Sequence, residues 1–243
     1  SYINLNGYWD YTFTATDQFP SEYEGEILVP FSPESALSGV NRRLNPDEFL
    51  WYYRTFHSPI AGTNNRLILN FGAVDQTATV YINEQKTATH HGGYLPFSID
   101  ITDFIKDDLN SLIVKVKDVT DTSYHSRGKQ KLNPSGMFYT PVSGIWQTVW
   151  MECVPANYIE NVIITPNYDD ESVHIRLITK DNTSPSFNQD TIELVIYAGE
   201  AVVAKEYLQG ILEKTIKLNE MHSWSPENPF LYDVKVTYKD DCI

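Results

Sequence analysis

The sequence predicts an all-β protein built from two β-sandwiches, and two observations carry this prediction. Apolar and polar residues alternate over short stretches, as they do in strands that bury one face and expose the other. Periodicity of the helical kind is nearly absent along the 243 residues. The alternating stretches recur at spacings of roughly 10–15 residues with turn-forming clusters between them, which is typical of antiparallel β-sandwiches.

The individual stretches support strands in chain order. In the first half of the chain, 78–83 and 112–117 each place three apolar residues on one face of a strand. In the second half, 173–177 and 191–196 repeat the pattern, and the aromatic and aliphatic residues of 230–236 do the same. Because each strand has one apolar face, we expect antiparallel sheets with one buried side.

A boundary between two domains is expected after Val154. The hydrophobic strand at 147–152 ends the first domain, and a new series of strands begins at Tyr158. The length of residues 1–154 suits a jelly-roll sandwich. Residues 155–243 suit a seven-strand immunoglobulin-like sandwich.

Composition excludes several classes of protein. The chain has 32 acidic and 18 basic side chains and a net charge of −14, so it lacks the positive surface that binds nucleic acid or an anionic membrane. No apolar run reaches the ~18 residues that span a bilayer. The two cysteines, Cys153 and Cys242, are too few for a disulfide scaffold or a cysteine-based zinc site. The chain begins at Ser1, so a leader could have been removed, and a periplasmic or secreted location is favoured over a cytoplasmic one.

Eight short segments, which together extend over almost the whole chain, carry a resemblance to a known family. They are LNGYWDY (5–11), VPFSPES (29–35), WYYR (51–54), FGAVD (71–75), HGGYLPF (91–97), RGKQ (127–130), YTPVSGIWQTVW (139–150) and WSPENPFLY (224–232). In this order the segments resemble the N-terminal half of family 2 glycoside hydrolases, the group that contains β-galactosidases, β-glucuronidases and β-mannosidases.

The resemblance implies a galactose-binding-like jelly roll followed by an immunoglobulin-like domain, both from a retaining enzyme that hydrolyses O-glycosyl bonds. In this family both catalytic groups are Glu residues at the ends of barrel strands, and a (β/α)₈ barrel needs ~250 residues of its own. Since two sandwiches account for all 243 residues, we expect this chain to be the non-catalytic part. Its partners are then a carbohydrate substrate, the missing barrel of the same polypeptide and, as a further option, a second copy of the chain.

Two points limit the enzymatic interpretation. The Asn219-Glu220 pair matches the family's acid/base motif, but it lies within the second sandwich, where we expect a solvated loop. A stand-alone carbohydrate-binding or adhesion module without enzymatic activity therefore stays open as an alternative, because a fold alone does not establish a function.

Three residues are candidates for contact with sugar, and none of them is expected to be catalytic. The family's β-galactosidases use an Asp in a Ser-Asp-Gly-Ser-Tyr type run, which matches 120–124, so the resemblance points to Asp121. Its carboxylate could accept two hydroxyl hydrogen bonds, coordinate a cation shared with the sugar, or bond its own backbone as a turn Asp. Arg127 could contact substrate or brace its loop, and Trp146 could stack on a sugar or pack structurally. Apart from such a monovalent or divalent cation near Asp121, no cofactor and no metal site are expected.

Overall fold

A computed structural model of the chain describes residues 2–180, 191–219 and 221–238, together with the backbone of 241–242. Regular structure in these residues is strand, apart from two short 3₁₀ turns at Ala36–Ser38 and Thr102–Phe104. The prediction of an all-β fold is therefore confirmed.

The fold divides into two compact units, Ser1–Val154 and Pro155–Ile243. Each unit has its own hydrophobic core. That each unit folds as an independent domain stays a prediction. In the part of the chain that the structure describes, no helix combines the length and the apolar character that a membrane crossing requires.

The first unit contains twelve strands among its described residues. They are β1 (Tyr2–Asn4), β2 (Gly7–Thr14), β3 (Gly25–Val29), β4 (Phe49–His57), β5 (Arg66–Phe71), β6 (Val74–Asp75), β7 (Thr77–Ile82), β8 (Gln85–His91), β9 (Phe97–Asp100), β10 (Leu109–Lys117), β11 (Gly144–Ile145) and β12 (Val149–Val154).

These strands form a sandwich. One sheet has six strands in the order β3-β2-β4-β10-β7-β8, the other has four in the order β1-β12-β5-β9, and β6 pairs with β11 in a short separate ladder. A single core cluster joins the inner faces of the two larger sheets. At its centre Val114 of β10 lies opposite Tyr52 of β4 and Val80 of β7. All three side chains are fully buried, which confirms the alternation predicted at 78–83 and 112–117.

The second unit has seven strands in its described part. They are β13 (Ile159–Asn167), β14 (Ser172–Thr179), β15 (Thr191–Ala198), β16 (Ala201–Gln209), β17 (Glu213–Lys217), β18 (Asp233–Tyr238) and β19 (Asp241–Cys242). The sheet orders are β13-β14-β17 and β16-β15-β18-β19. This is an immunoglobulin-like sandwich in which the fourth strand, β16, pairs with the second sheet instead of the first. Among the described strands, β17 consequently forms one border of the three-stranded sheet.

The strand β18 begins at Asp233, three residues later than the alternation of the sequence predicted. The preceding segment contains Pro226 and Pro229, which have no N–H group to donate to a ladder. The backbones of Ser225 and Asn228 instead bond to each other, with N–O distances of 3.0 and 3.1 Å. The N–H group of Phe230 donates to Asn228 O at 2.8 Å, so the first residue of the expected strand is bonded to this turn.

Candidate functional site

The candidate site is the long loop from residue 118 to residue 143, which connects β10 to β11 and includes two of the three predicted contact residues. The loop folds back on itself. Tyr139 N donates to Lys129 O at 2.9 Å, Lys131 N donates to Tyr139 O at 3.1 Å, and Gln130 pairs with Tyr139 in an isolated parallel bridge. The loop is therefore a hydrogen-bonded structure, which is what a binding loop on a rigid scaffold requires.

The structure places Asp121 and Arg127 on this loop, with both side chains partly exposed. Asp121 Oδ1 accepts a hydrogen bond from Leu132 N at 3.4 Å. The Arg127 guanidinium donates to Ser123 O at 3.1 Å. Both bonds lie within the loop and brace it. The role of each residue towards a sugar stays a prediction.

The third candidate, Trp146, lies just after β11 and is half-buried. Its indole Nε1 donates to the carbonyl oxygen of Gly93 at 2.8 Å, which ties the end of the loop to the segment between β8 and β9. None of the hydrogen bonds among the described residues joins the side chains of Asp121, Arg127 and Trp146 to one another. The three predicted residues thus belong to one region without forming one cluster.

Beneath the loop lie three carboxyl groups that sequence reasoning did not single out: Glu34, Asp75 and Asp118. Only 6% of Asp75 and 2% of Asp118 is exposed, and Glu34 is partly buried. The topology explains why the two aspartates meet. Asp118 directly follows β10, Asp75 ends β6 just before β7, and β7 and β10 pair so that Thr77 lies opposite Lys117.

Each carboxyl group is bound to the loop. Asp118 accepts hydrogen bonds from Thr120 N at 2.7 Å and from the Thr120 hydroxyl at 3.1 Å, at the beginning of the loop. Glu34 accepts hydrogen bonds from Ser143 N at 3.1 Å and from the Ser143 hydroxyl, at its end. The side chain of Gln130, in the middle of the loop, interacts with Asp75 and opposes the rise of its pKa.

Two glycines permit the close packing under the loop. Gly144 faces Asp75 in the short ladder and has φ +75°, and a Cβ atom there would lie 2.0 Å from the hydroxyl oxygen of Tyr52. A Cβ atom on Gly93 would lie 2.6 Å from the carboxyl carbon of Asp75. The Tyr52 hydroxyl accepts a hydrogen bond from Ile145 N at 3.2 Å. The backbone therefore approaches buried polar groups at points where only glycine fits.

Burial changes the acidity of this cluster. The pKa of Asp75 is raised to about 7, chiefly because the carboxyl group is removed from water. The negative charges of Asp118 and, to a smaller extent, Glu34 raise this pKa further, and the interaction with Gln130 lowers it. Burial also raises the pKa of Glu34 and that of Asp118, although their hydrogen bonds to Ser143 and Thr120 oppose the change. At least one carboxyl group of the cluster therefore holds its proton in mildly acidic solution.

The outer surface of this region exposes aromatic and apolar side chains. The loop itself exposes Tyr124, Met137 and Tyr139, and the segment before β9 exposes Tyr94 and Leu95. The two segments adjoin, since a Cβ atom on Gly128 would lie 3.4 Å from the hydroxyl of Tyr94.

The structure also bears on the two remaining predictions about chemistry. In the described part of the chain, no group of three or more His, Cys, Asp or Glu side chains is arranged to hold a metal ion. A cation near Asp121 therefore stays a prediction, and its further ligands would have to be other groups, such as sugar hydroxyls. Glu220, the acid/base-like residue of the second sandwich, lies outside the described residues.

The fold and the loop define a class of protein, a two-sandwich module in which the first sandwich carries a braced surface loop. Comparison with family models makes the assignment definite. Residues 39–155 match the model described as glycosyl hydrolases family 2, sugar binding domain, and residues 157–243 match the model described as glycosyl hydrolases family 2. The chain belongs to glycosyl hydrolase family 2.

Individual relatives agree with this assignment. The chain is 27% identical over 195 residues to a β-galactosidase of Thermoanaerobacter pseudethanolicus, which covers 76% of this chain and 25% of that protein. It is 28% identical over 193 residues to a putative β-glucuronidase of Formosa agariphila, and the aligned part covers 76% of this chain and 22% of that protein. The fold is similar to that of a β-glucuronidase of an uncultured Clostridium sp., with a TM-score of 0.79, 22% identity, and coverage of 100% of this chain and 43% of that one. The matched region thus amounts to about a quarter of these two relatives.

Proposed function

We propose that this chain is the non-catalytic part of a larger family 2 glycoside hydrolase. In this proposal the catalytic barrel belongs to the same polypeptide and cleaves a terminal β-linked sugar by a two-step retaining route. The jelly-roll unit shapes the rim of the sugar pocket with its 118–143 loop, and both units support the barrel. The observation that carries the proposal is that two family models occupy 39–155 and 157–243, while the matched relatives are about four times longer than the part they share with this chain.

The carboxyl groups of the first unit fit a supporting role better than a catalytic one. A retaining glycosidase needs two carboxyl groups ~5–5.5 Å apart on either side of the scissile bond. Asp75 and Asp118 are buried, and each accepts hydrogen bonds from the loop above it. A sugar cannot reach these carboxyl groups while the loop is in place, so they do not provide the reacting pair.

The loop residues remain available for contact with a sugar. A carboxylate has about four lone-pair sites, so the single 3.4 Å bond from Leu132 N leaves most of the accepting capacity of Asp121 for hydroxyl groups. Arg127 and Trp146 are both partly exposed. We propose that Asp121 and Arg127 contact the substrate from the loop, and that Trp146 contributes its exposed ring face. Formation of a homo-oligomer is a separate prediction, and nothing in the proposal depends on it.

The alternative function is a carbohydrate-binding or adhesion module that works without a barrel. The observation that favours it is the set of exposed rings around the loop, Tyr94, Tyr124 and Tyr139, because sugars stack their C–H faces on such rings. In the preferred proposal the same rings face the remainder of the enzyme. The two functions therefore differ in whether the chain alone recognises a glycan.

The proposal predicts that the purified chain hydrolyses no nitrophenyl β-glycoside, because it assigns the reacting carboxyl pair to the barrel. Release of nitrophenol is measured with β-galactoside, β-glucuronide and β-mannoside substrates, and a full-length family 2 enzyme serves as the positive control. Turnover above the no-enzyme rate by the pure chain would contradict the proposal.

A second measurement separates the two functions. The reading frame after the codon for Ile243 should continue for roughly 300 residues or more, with two Glu at strand ends. Isothermal titration of the chain with a glycan panel should show no binding in the micromolar range. A frame that stops, together with micromolar binding that Tyr124→Ala and Tyr139→Ala abolish, establishes the alternative function instead.

A further inference from the structure

The three buried carboxyl groups have no part in the contacts proposed for the loop, yet removal of such groups from water is unfavourable unless they are well bonded. Their hydrogen bonds are not scattered over the fold. They reach Thr120 near the beginning of the 118–143 loop, Gln130 in its middle and Ser143 at its end. This distribution indicates that the carboxyl groups hold the loop in place.

We propose that Glu34 and Asp75 are positioning residues, which fix the 118–143 loop in the conformation that presents Asp121 and Arg127. The inference rests on the proposed function only in taking a sugar substrate as the ligand that the loop contacts. The fixing of the loop is a property of this chain alone and can be measured without a sugar.

Glu34 acts on the end of the loop. Its Oε2 accepts from Ser143 N at 3.1 Å, and its Oε1 accepts from the Ser143 hydroxyl and from Leu44 N, the latter at 3.3 Å. Both carboxyl oxygens are therefore used as acceptors. A Gln side chain has a single acceptor oxygen, so its NH₂ group would face an N–H donor at one of these places. Glu34 thus sets the position of Ser143, after which β11 begins at Gly144.

Asp75 acts on the middle of the loop through Gln130. Asp75 is fixed from below, because it pairs with Gly144 in the β6–β11 ladder and its carboxyl group lies against Gly93. The side chain of Gln130 acts on the Asp75 carboxyl group and lowers its pKa, and the Gln130 oxygen accepts from Val142 N. Gln130 therefore connects the buried carboxyl group to two parts of the loop at once.

This arrangement depends on pH. The charges of Glu34 and Asp118 act on Asp75, that of His125 acts on Asp118, and that of Glu34 acts on Tyr52. When all three carboxyl groups are ionised, they repel one another in a region with little water. The pKa of Asp75, raised to about 7 chiefly by burial, means that the cluster holds a proton in mild acid and loses it as the pH rises through neutrality. The loop should therefore be held more firmly at pH 6 than at pH 8.

The test is hydrogen–deuterium exchange of the whole chain at pH 6 and pH 8, with each rate divided by the intrinsic rate of the same amide. In the wild-type chain, protection of the amides in 129–143 should fall up to about ten-fold, because the protonated fraction of a group with a pKa near 7 falls about ten-fold over this range. Asp75→Asn is neutral at both pH values and still accepts from Gln130, so its loop should show no such fall.

Glu34→Gln should lower the protection of the amides near Ser143 by about ten-fold at both pH values, since it loses a charge-assisted bond. The matched control is Glu24→Gln. Glu24 also accepts from a backbone N–H and a hydroxyl, those of Phe13 and Thr12 at 3.1 Å each, but these belong to β2. In Glu24→Gln, the protection of the loop amides should equal that in the wild-type chain. The amides of β4 serve as the internal reference in every variant.

Parallel pH profiles in the wild-type chain and Asp75→Asn, or wild-type protection in Glu34→Gln, would overturn the proposal. If Asp75→Asn does not fold, Gln130→Ala replaces it, because this residue is partly exposed and its removal leaves the buried charges intact. It should lower the protection of the loop at both pH values and leave the fall between pH 6 and pH 8 in place, because the carboxyl groups that cause this fall are unchanged. A Gln130→Ala profile equal to that of the wild-type chain refutes the proposal. Nitrophenyl glycoside turnover does not enter this test, so the proposed function fails or stands separately.

Discussion

Gly144 shows how strongly a single residue under the loop is determined. Its φ of +75° is unfavourable for any residue with a Cβ atom, and that atom would also lie 2.0 Å from the hydroxyl oxygen of Tyr52. Tyr52 cannot move aside easily, because it is fully buried in the core and packs edge-to-face on Trp9 with ring centroids 6.4 Å apart. Backbone conformation and space therefore act together at this position.

We predict that Gly144→Ala lowers the free energy of unfolding by about 3–4 kcal/mol, the sum of the left-handed conformation and the overlap with Tyr52. The matched control is Gly136→Ala, where φ is +59° and nothing lies within 4 Å of the added Cβ atom. This control should cost only about 1 kcal/mol. Urea unfolding followed by tryptophan fluorescence measures both variants, and equal losses would show that the contact with Tyr52 is unimportant.

The candidate residues differ in how far the sequence could predict them. The resemblance pointed to Asp121, Arg127 and Trp146, which lie in or just after the 118–143 loop, and their contact with a sugar stays a prediction. It did not indicate Glu34 and Asp75, although both occur in the quoted segments 29–35 and 71–75. A useful signal was present in these segments, since each contains a carboxyl group among apolar residues. That the groups converge depends on strand pairing between distant parts of the chain, which local patterns do not contain.

At the scale of the strand, alternation predicted the buried faces well. The pattern depends only on the two-residue repeat of a strand, so it is visible in a few consecutive residues. It predicted the burial of the apolar residues in β7 and β10, and it placed the beginning of β18 three residues too early. Which strands pair is a different matter. The order β3-β2-β4-β10-β7-β8 brings together segments far apart in sequence, and no local repeat specifies it.

A pair of leucines in the first unit tests the inner face of the four-stranded sheet. Leu69 of β5 is fully buried and lies opposite Met151 of β12 and Ile99 of β9. We expect Leu69→Ala to cost about 2–5 kcal/mol, because it removes buried apolar contacts and leaves a cavity. Leu95, which is 70% exposed, is the control, and Leu95→Ala should change stability by less than about 0.5 kcal/mol. Shifts of the urea midpoint report both values, and similar shifts would contradict the assigned burial.

At the scale of the whole molecule, the chain has two cores and no shared one among the described residues. The first core cluster draws on strands from β2 to β12, and the second draws on strands from β13 to β18. Because folding is cooperative within a core, each unit is expected to unfold as one event. This division agrees with the two family models, which match 39–155 and 157–243.

Differential scanning calorimetry should therefore resolve two unfolding transitions. Leu69→Ala should lower the midpoint of one transition and leave the other unchanged. Ile175→Ala, which truncates a fully buried residue of β14, should do the opposite. A single transition that both variants lower equally would show that the two units behave as one cooperative body.

The border formed by β17 has a consequence for how the isolated chain behaves in solution. An unpaired strand at the edge of a sheet can recruit a strand from a neighbouring molecule, which begins aggregation. This strand offers only five residues, and three of them, Glu213, Lys214 and Lys217, are charged. A foreign strand that joined it would have to lie beside these side chains and strip part of their hydration. Because β16 pairs with the second sheet, β17 is left at the edge of the first, and its short length and charged side chains disfavour the addition of strands from other molecules.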